Sequence, residues 1–272
     1  GSLPSFRESR VAFQQKVMKQ YPDIATVRLG PFELLSIGSP ELMREVLVTK
    51  ERDFAKSYGL SMFARPILGD GLLTSEGAEH RRNRRLLTSS FDAALMPGYA
   101  QTMSARADAA IDAMLAEGSV DVAHHAMRVA LEIAAESLFG VDFTGRASEI
   151  GPVVTEAIEA LMATMTAALP LPPAFPTPAN IRLHLAVRKL NRLVYELIRQ
   201  RRESRDPRND VLSLMLAARD EDGSTLSDQQ VRDEVMTLFL AGHETTAVSL
   251  VWTLVLLARH EEARGSVELE LD

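Results

Sequence analysis

From residue 79 onward apolar positions recur at intervals of three and four, the spacing of one helix face. The pattern predicts helices over 79–90, 99–117, 122–139, 149–168, 179–203, 209–219, 228–259 and 261–271. Gly140 after Ser-Leu-Phe reads as a helix C-cap, and Ser227-Asp228 as a helix start. Before residue 79 the texture changes. Residues 5–20 have helical period and are stopped by Tyr21-Pro22-Asp23. Residues 23–38 alternate and read as a hairpin, two short strands joined at Gly30-Pro31. PELMREVLVTK, opened by Pro40, reads as a helix. The stretch 54–77 carries glycines at 59, 69, 71 and 77 and reads as a loop with at most one helical turn. The fold class is therefore mainly α with a small N-terminal β element. No internal repeat is visible. The Pro-rich segment 169–179 reads as a stiff connection between two helices, with a pocket lid or a domain boundary as the other readings.

One apolar run breaks its own pattern. Residues 237–258 are long enough to cross a bilayer, but His243 and Glu244 stand near the middle, which favours a buried core helix. Taken over 231–260 that helix is roughly 45 Å long at ~1.5 Å per residue. Leu238, Ala241, Gly242, Thr245, Ser249 and Trp252 share one face, Glu244 sits beside it, and His243 points away. Ala241 and Gly242 leave a dent, and a mid-helix glycine costs about 1 kcal/mol against alanine. The Thr245 hydroxyl can bond back to the carbonyl of residue 241 or turn into the dent. The Glu244 carboxylate needs a partner, a proton or water. A cavity, a hydroxyl and a titratable acid together suit proton delivery to a bound species. The alternative is helix packing through small residues with Glu244 in a salt bridge.

Composition narrows the chemistry. The chain has no cysteine, so neither a disulfide nor a thiolate ligand can come from its 272 residues. Its net charge of −7 disfavours a general nucleic-acid binder. His-Glu-Thr-Thr begins like a zinc-hydrolase motif, but residue 247, where the second histidine would stand, is alanine, and no metal ligand set is expected. No secretory leader opens the chain, and the expected location is the cytoplasm.

A second cluster, Gly77–Leu87 (GAEHRRNRRLL), places His80 and Arg84 four residues apart on one face. A guanidinium grips carboxylates in a bidentate, charge-assisted way. Arg81 and Arg85 form a separate ridge, read as solvated. The rival readings are a nucleic-acid patch or an ordinary surface helix.

Together these segments resemble the cytochrome P450 family. AGHETTA resembles the oxygen-activation motif of its central helix, and GAEHRRNRRLL its haem-propionate helix. RLGPFELLSIGSPELMREVL, GDGLLTSEG and DGSTLSDQQVRDEVMTLFLAGHETTA are similar to the first sheet and following helix, the run into the propionate helix and the approach to the central helix. The resemblance covers essentially the whole chain. It implies a P450-like fold running to the helix after the central one. It implies roles for Thr245 and Glu244 in proton delivery, for Ala241 and Gly242 in making room above haem iron, and for His80 and Arg84 in holding the propionates. It also implies an apolar small-molecule substrate, dioxygen and a separate electron-transfer partner, a ferredoxin or flavoprotein. The family's Glu-x-x-Arg helix and Cys loop lie after the central helix and are not in this sequence. The expected protein is thus an N-terminal portion of a haem monooxygenase, inactive alone, with haem expected in the complete enzyme and at most weak, non-thiolate haem binding in this chain. None of the six histidines (80, 124, 125, 184, 243 and 260) stands out as a substitute ligand. The alternative is a non-catalytic helical protein that keeps the scaffold and binds a ligand or partner.

Overall fold

The computed structural model describes residues 2–30, 32–141, 147–166, 171–204 and 210–271. They divide into two compact units, Gly1–Lys56 and Ser57–Asp272.

In the first unit, the run expected as one helix over 5–20 is two, α1 (Leu3–Glu8) and α2 (Arg10–Gln20), broken at Ser9. The Ser9 hydroxyl accepts the amide of Ala12, so a residue inside the apolar period becomes the cap of a new helix. Strands β1 (Ile24–Leu29) and β2 (Phe32–Ile37) pair antiparallel, Ile24 opposite Ile37 and Leu29 opposite Phe32. Pro31, half of the expected turn, lies outside the described residues. In β1, Ala25 and Val27 face inward, whereas Phe32 and Leu35 of β2 are exposed. Helix α3 (Pro40–Arg44) is capped by Ser39 and continues into a π-helical turn, Glu45–Thr49.

Among the described residues the regular structure of the second unit is helical, apart from an isolated β-bridge between Arg219 and Thr225. Its first helix corrects the sequence reading. Tyr58–Leu68 (α4) forms a helix where a loop was expected. Gly59 and Pro66 obscure it in the sequence, but the Ser57 hydroxyl caps it. Phe63, Ala64, Ile67 and Leu68 form one buried stripe, and packing that stripe outweighs the missing N–H of Pro66. The remaining helices are α5 (Gly77–Thr88), α6 (Met96–Glu117), α7 (Val122–Phe139), α8 (Ala147–Thr166), α9 (Pro178–Glu203), α10 (Val211–Ala217), α11 (Asp228–Arg259) and α12 (Glu261–Leu271). Gly140 ends α7 in the left-handed region. A capping box opens α11, in which Ser227 and Gln230 exchange side-chain-to-backbone hydrogen bonds.

The core lies where α11 packs on α7 and α8 on α9, joined by α4, α5 and α10. Ile67, Phe139, Leu183, Ile198, Met215 and Met236 are almost fully buried there. Each such side chain contributes about 1.5–3 kcal/mol by leaving water. Residues 169 and 170 of the Pro-rich segment lie outside the described residues. The part from 171 on is held by buried Asn180, whose amide donates to the carbonyls of Pro172 (3.0 Å) and Phe175 (2.8 Å). The same side chain accepts from Thr164 at 3.0 Å, which ties the segment to α8.

Candidate functional site

Helix α11 inverts the usual placement of polar and apolar residues. Its first half is buried although it carries Arg232, Asp233 and Glu234, 3%, 4% and 0% exposed. Its second half is largely apolar, yet Val248, Leu250, Trp252, Leu254 and Leu256 are all exposed. By length and composition α11 could cross a membrane. The sequence expectation of a buried core helix over 237–258 is corrected here. Along this half α7 packs through Ala126, Met127 and Ala130 against Ala247 and Val251. Among the described residues α7 covers one face of this half, and Val248, Leu250, Trp252, Leu254 and Leu256 stay exposed.

The dent is on the open side. Ala241 and Gly242 are exposed, and a Cβ added at Gly242 would meet nothing within 4 Å. The Thr245 hydroxyl donates to the carbonyl of Ala241 at 2.5 Å, and Thr246 to that of Gly242 at 2.6 Å. An open groove of about 420 Å³ runs on from there, lined by Thr245, Thr246, Ser249, Leu250 and Thr253. Glu244 is half-buried and has no ion pair or side-chain hydrogen bond among the described residues. Among the described residues no helix seats on Gly242 and no cation meets Glu244.

His243 is on the other side, 2% exposed. Its ring stacks on Phe239 at 5.7 Å, and Phe239 leans on Phe139 at 5.9 Å. Its Nδ1 has no hydrogen-bond partner among the described residues, and burial lowers its pKa, which favours the neutral imidazole.

The basic helix α5 is divided among three tasks. Arg82 and Arg85 both bind Asp220, at 2.9 Å and 2.7 Å, and Arg82 also reaches Ser224 at 3.0 Å. The hydrogen bond from Arg85 is the main reason the Asp220 carboxyl titrates below its ordinary range. The reading of Arg85 as a solvated ridge is corrected. The acidic turn after α10 supplies its partner from 135 residues away in sequence, which no local pattern reveals. Asn83 turns inward and donates to Glu234 at 3.0 Å. His80 is half-buried, while Arg84 is exposed and its guanidinium has no partner among the described residues. A helix with two of its arginines already neutralised offers a poor phosphate-binding stripe.

Sequence reasoning missed the buried carboxylates that join these elements. Asp233 accepts the amide of Asp70 at 3.0 Å, Gln229 at 2.8 Å and Arg232 at 2.8 Å. Glu234 accepts the amide of Leu72 at 2.9 Å besides Asn83. The loop can approach because residues 69 and 71 are glycines. A side chain at 69 would strike the Asp233 carboxylate, and one at 71 the Thr237 hydroxyl and Asp233 carbonyl. Two glycines spaced to face a helix carrying Asp-Glu were the available signal.

The chain matches the family model for Cytochrome P450 over residues 1–272. It is 36% identical to a cyclooctatin synthase of Streptomyces melanosporofaciens over 92% of its own length and 55% of the relative's. It is 35% identical to a pentalenene oxygenase of Streptomyces avermitilis over 94% of its own length and 57% of the relative's. The fold superposes on the crystal structure of a cytochrome P450DA heme domain with a TM-score of 0.84 at 30% identity, covering 95% of this chain and 58% of that one. It also superposes on a retinoic acid-bound cyanobacterial CYP120A1 with a TM-score of 0.80 at 25% identity, covering 96% of this chain and 58% of that one. The chain thus spans a little over half the length of the relatives it matches.

Proposed function

The chain belongs to the cytochrome P450 family, and from that premise we propose that it forms the oxygen-side wall and propionate grip of a haem-dependent monooxygenase. The proposed enzyme is an oxidoreductase that inserts one oxygen atom of dioxygen into an apolar small molecule. The observation that carries this reading is the open side of α11 at Gly242, with the Thr245 hydroxyl and the unpaired Glu244 carboxylate at its rim. A glycine whose absent side chain would meet nothing fits a wall against which a flat cofactor lies. The unpartnered guanidinium of Arg84 fits the carboxylate end of the same cofactor, with His80 beside it. The axial thiolate of this family is not among these residues, since the chain has no cysteine.

When bound, haem supplies the iron at which dioxygen is activated. The residues of this chain handle protons and space. Ala241 and Gly242 keep side-chain atoms out of the reaction volume. Thr245 holds a proton on Oγ1, donated to the Ala241 carbonyl at rest. Rotation about its Cα–Cβ bond turns that proton outward, and Glu244, one residue away, reloads the hydroxyl from solvent. Leu250 is the apolar residue of the groove, beside the lining residues Thr245, Thr246, Ser249 and Thr253. One relative is named for pentalenene, and an apolar molecule of that kind is the substrate proposed here. Electrons come from a separate ferredoxin or flavoprotein, and the location is the cytoplasm.

The test joins this chain to the C-terminal portion of the cyclooctatin synthase relative, loads haem, reduces it and adds carbon monoxide. A thiolate-type Soret band is expected, and its absence would overturn the reading. In the same protein Thr245→Ala should keep consuming electrons, release hydrogen peroxide and lose roughly tenfold or more of its product yield. Equal yields from the two forms would remove Thr245 from the chemistry.

A further inference from the structure

Residues 234, 238, 241 and 245 follow one another at four, three and four, which places them on a single stripe of α11 at ~100° per residue. Glu234 therefore shares the stripe of the dent and of Thr245, roughly 16 Å before Thr245 at ~1.5 Å per residue. At the Glu234 level a second helix is bound to that stripe. One carboxylate oxygen takes the amide of Leu72 at 2.9 Å, and the other takes the Asn83 side-chain amide at 3.0 Å. Glu234 is 0% and Asn83 1% exposed. The neighbouring Asp233 pins the same loop through the amide of Asp70. Glycines 69 and 71 let the loop come close enough for both bonds. On α5, Asn83 stands one position before Arg84 and one turn after His80. A buried carboxylate on α11 thus fixes the height and rotation of the helix that carries those two residues.

We propose that Glu234 is a positioning residue that clamps the 69–75 loop and α5 to α11, and so sets the distance between the Arg84 anion grip and the Gly242 dent. The proposal rests on the propionate-binding reading given above. Glu234 touches neither cofactor nor substrate and acts through Leu72 and Asn83. A leucine of similar size would fill the space, whereas this buried carboxyl group also accepts two hydrogen bonds that fix the geometry. Chain length and two acceptors or donors matter, and the negative charge does not. Asn83 Oδ1 is buried without a partner. In Glu234→Gln the new amide can donate to that oxygen once the Asn83 side-chain amide turns over, while the glutamine carbonyl still accepts from Leu72.

The experiment uses the 272-residue chain and two readouts, amide hydrogen exchange and porphyrin binding. Glu234→Leu should speed exchange across 69–75 and α5 by roughly tenfold or more, as expected when buried donors lose their acceptor, and leave α7–α9 unchanged. Glu234→Gln should keep wild-type protection. Binding of ferric protoporphyrin IX is then compared with binding of its dimethyl ester, whose carboxylates are blocked. Wild type and Glu234→Gln should prefer the acid, and Glu234→Leu should lose that preference, as should Arg84→Gln, which keeps normal exchange. Should Glu234→Leu not fold, Glu234→Asp, one methylene too short to reach both partners, carries the same comparison. Unchanged exchange in the shortened or apolar variant would overturn the clamp. Faster exchange with the acid preference intact would overturn the positioning role. A wild-type chain that binds acid and ester alike would overturn the propionate reading itself, while the exchange data would still show the clamp.

Discussion

Gly242 has room on its outward side that no described residue fills. In this chain, therefore, Gly242→Ala should be stabilising, by about 0.5–1 kcal/mol, because a mid-helix glycine carries an entropic cost that alanine removes. A urea melt checks the sign. A loss of stability would mean that the dent is occupied in solution. His243 gives a prediction in pH. Burial lowers its pKa from 6.5, so the unfolded chain takes up the proton before the folded one. The stabilisation is complete above pH ~6.5 and is lost as pH falls below it. His243→Phe, which keeps a ring against Phe239, should flatten the dependence of the denaturation midpoint between about pH 7 and pH 5. Parallel curves for the two proteins would show that His243 is not the responsible group. Thr245, Gly242 and Glu244 stood out in the sequence as candidates because polar and small residues are conspicuous in an apolar run. Glu234 was not, because a glutamate four residues before an apolar run reads as an exposed helix start, and only its partners at 72 and 83 reveal it as buried.

At the level of elements, the long helices were legible from period alone, since α7, α9 and α11 each keep an apolar spacing over several turns. Helix α4 was not, because Gly59 and Pro66 are helix breakers by propensity and only tertiary packing of Phe63 and Ile67 overrides them. The loop that follows makes the sharpest element-level prediction. Gly71→Ala would push a methyl group into the Thr237 hydroxyl and the backbone of Asp233. It should destabilise the second unit by about 1–3 kcal/mol, the usual cost of overpacking. A melting temperature unchanged from wild type would show that the 69–75 loop does not lie on α11. Thr237 cannot simply swing aside, since its hydroxyl is bonded at 2.8 Å to the Asp233 carbonyl.

For the molecule as a whole, the fold class followed from the sequence because period 3.6 dominates it. What the sequence could not convey was which apolar face lacks a cover. Leu, Val and Trp in α11 look like core residues in any window, and burial depends on neighbours that a window does not contain. Trp252, the sole tryptophan, is 60% exposed. Acrylamide should therefore quench the chain's fluorescence about as readily as that of a short tryptophan peptide. Strong protection would mean that copies associate through this surface. Such association is the expected liability of exposed Val248, Leu250, Leu254 and Leu256 on α11 and of exposed Leu269 and Leu271 on α12. The divided character of α11 also has a consequence for solution conditions. Its leading end is fastened by backbone and side-chain amides that donate to the buried carboxyl groups of Asp233 and Glu234, so removing those acceptors is what loosens it. Its trailing end is governed by greasy surface, so detergents, chaotropes and chilling act there. A single rod should therefore yield from opposite ends under different treatments, and a spectroscopic label at each end would record two separate transitions.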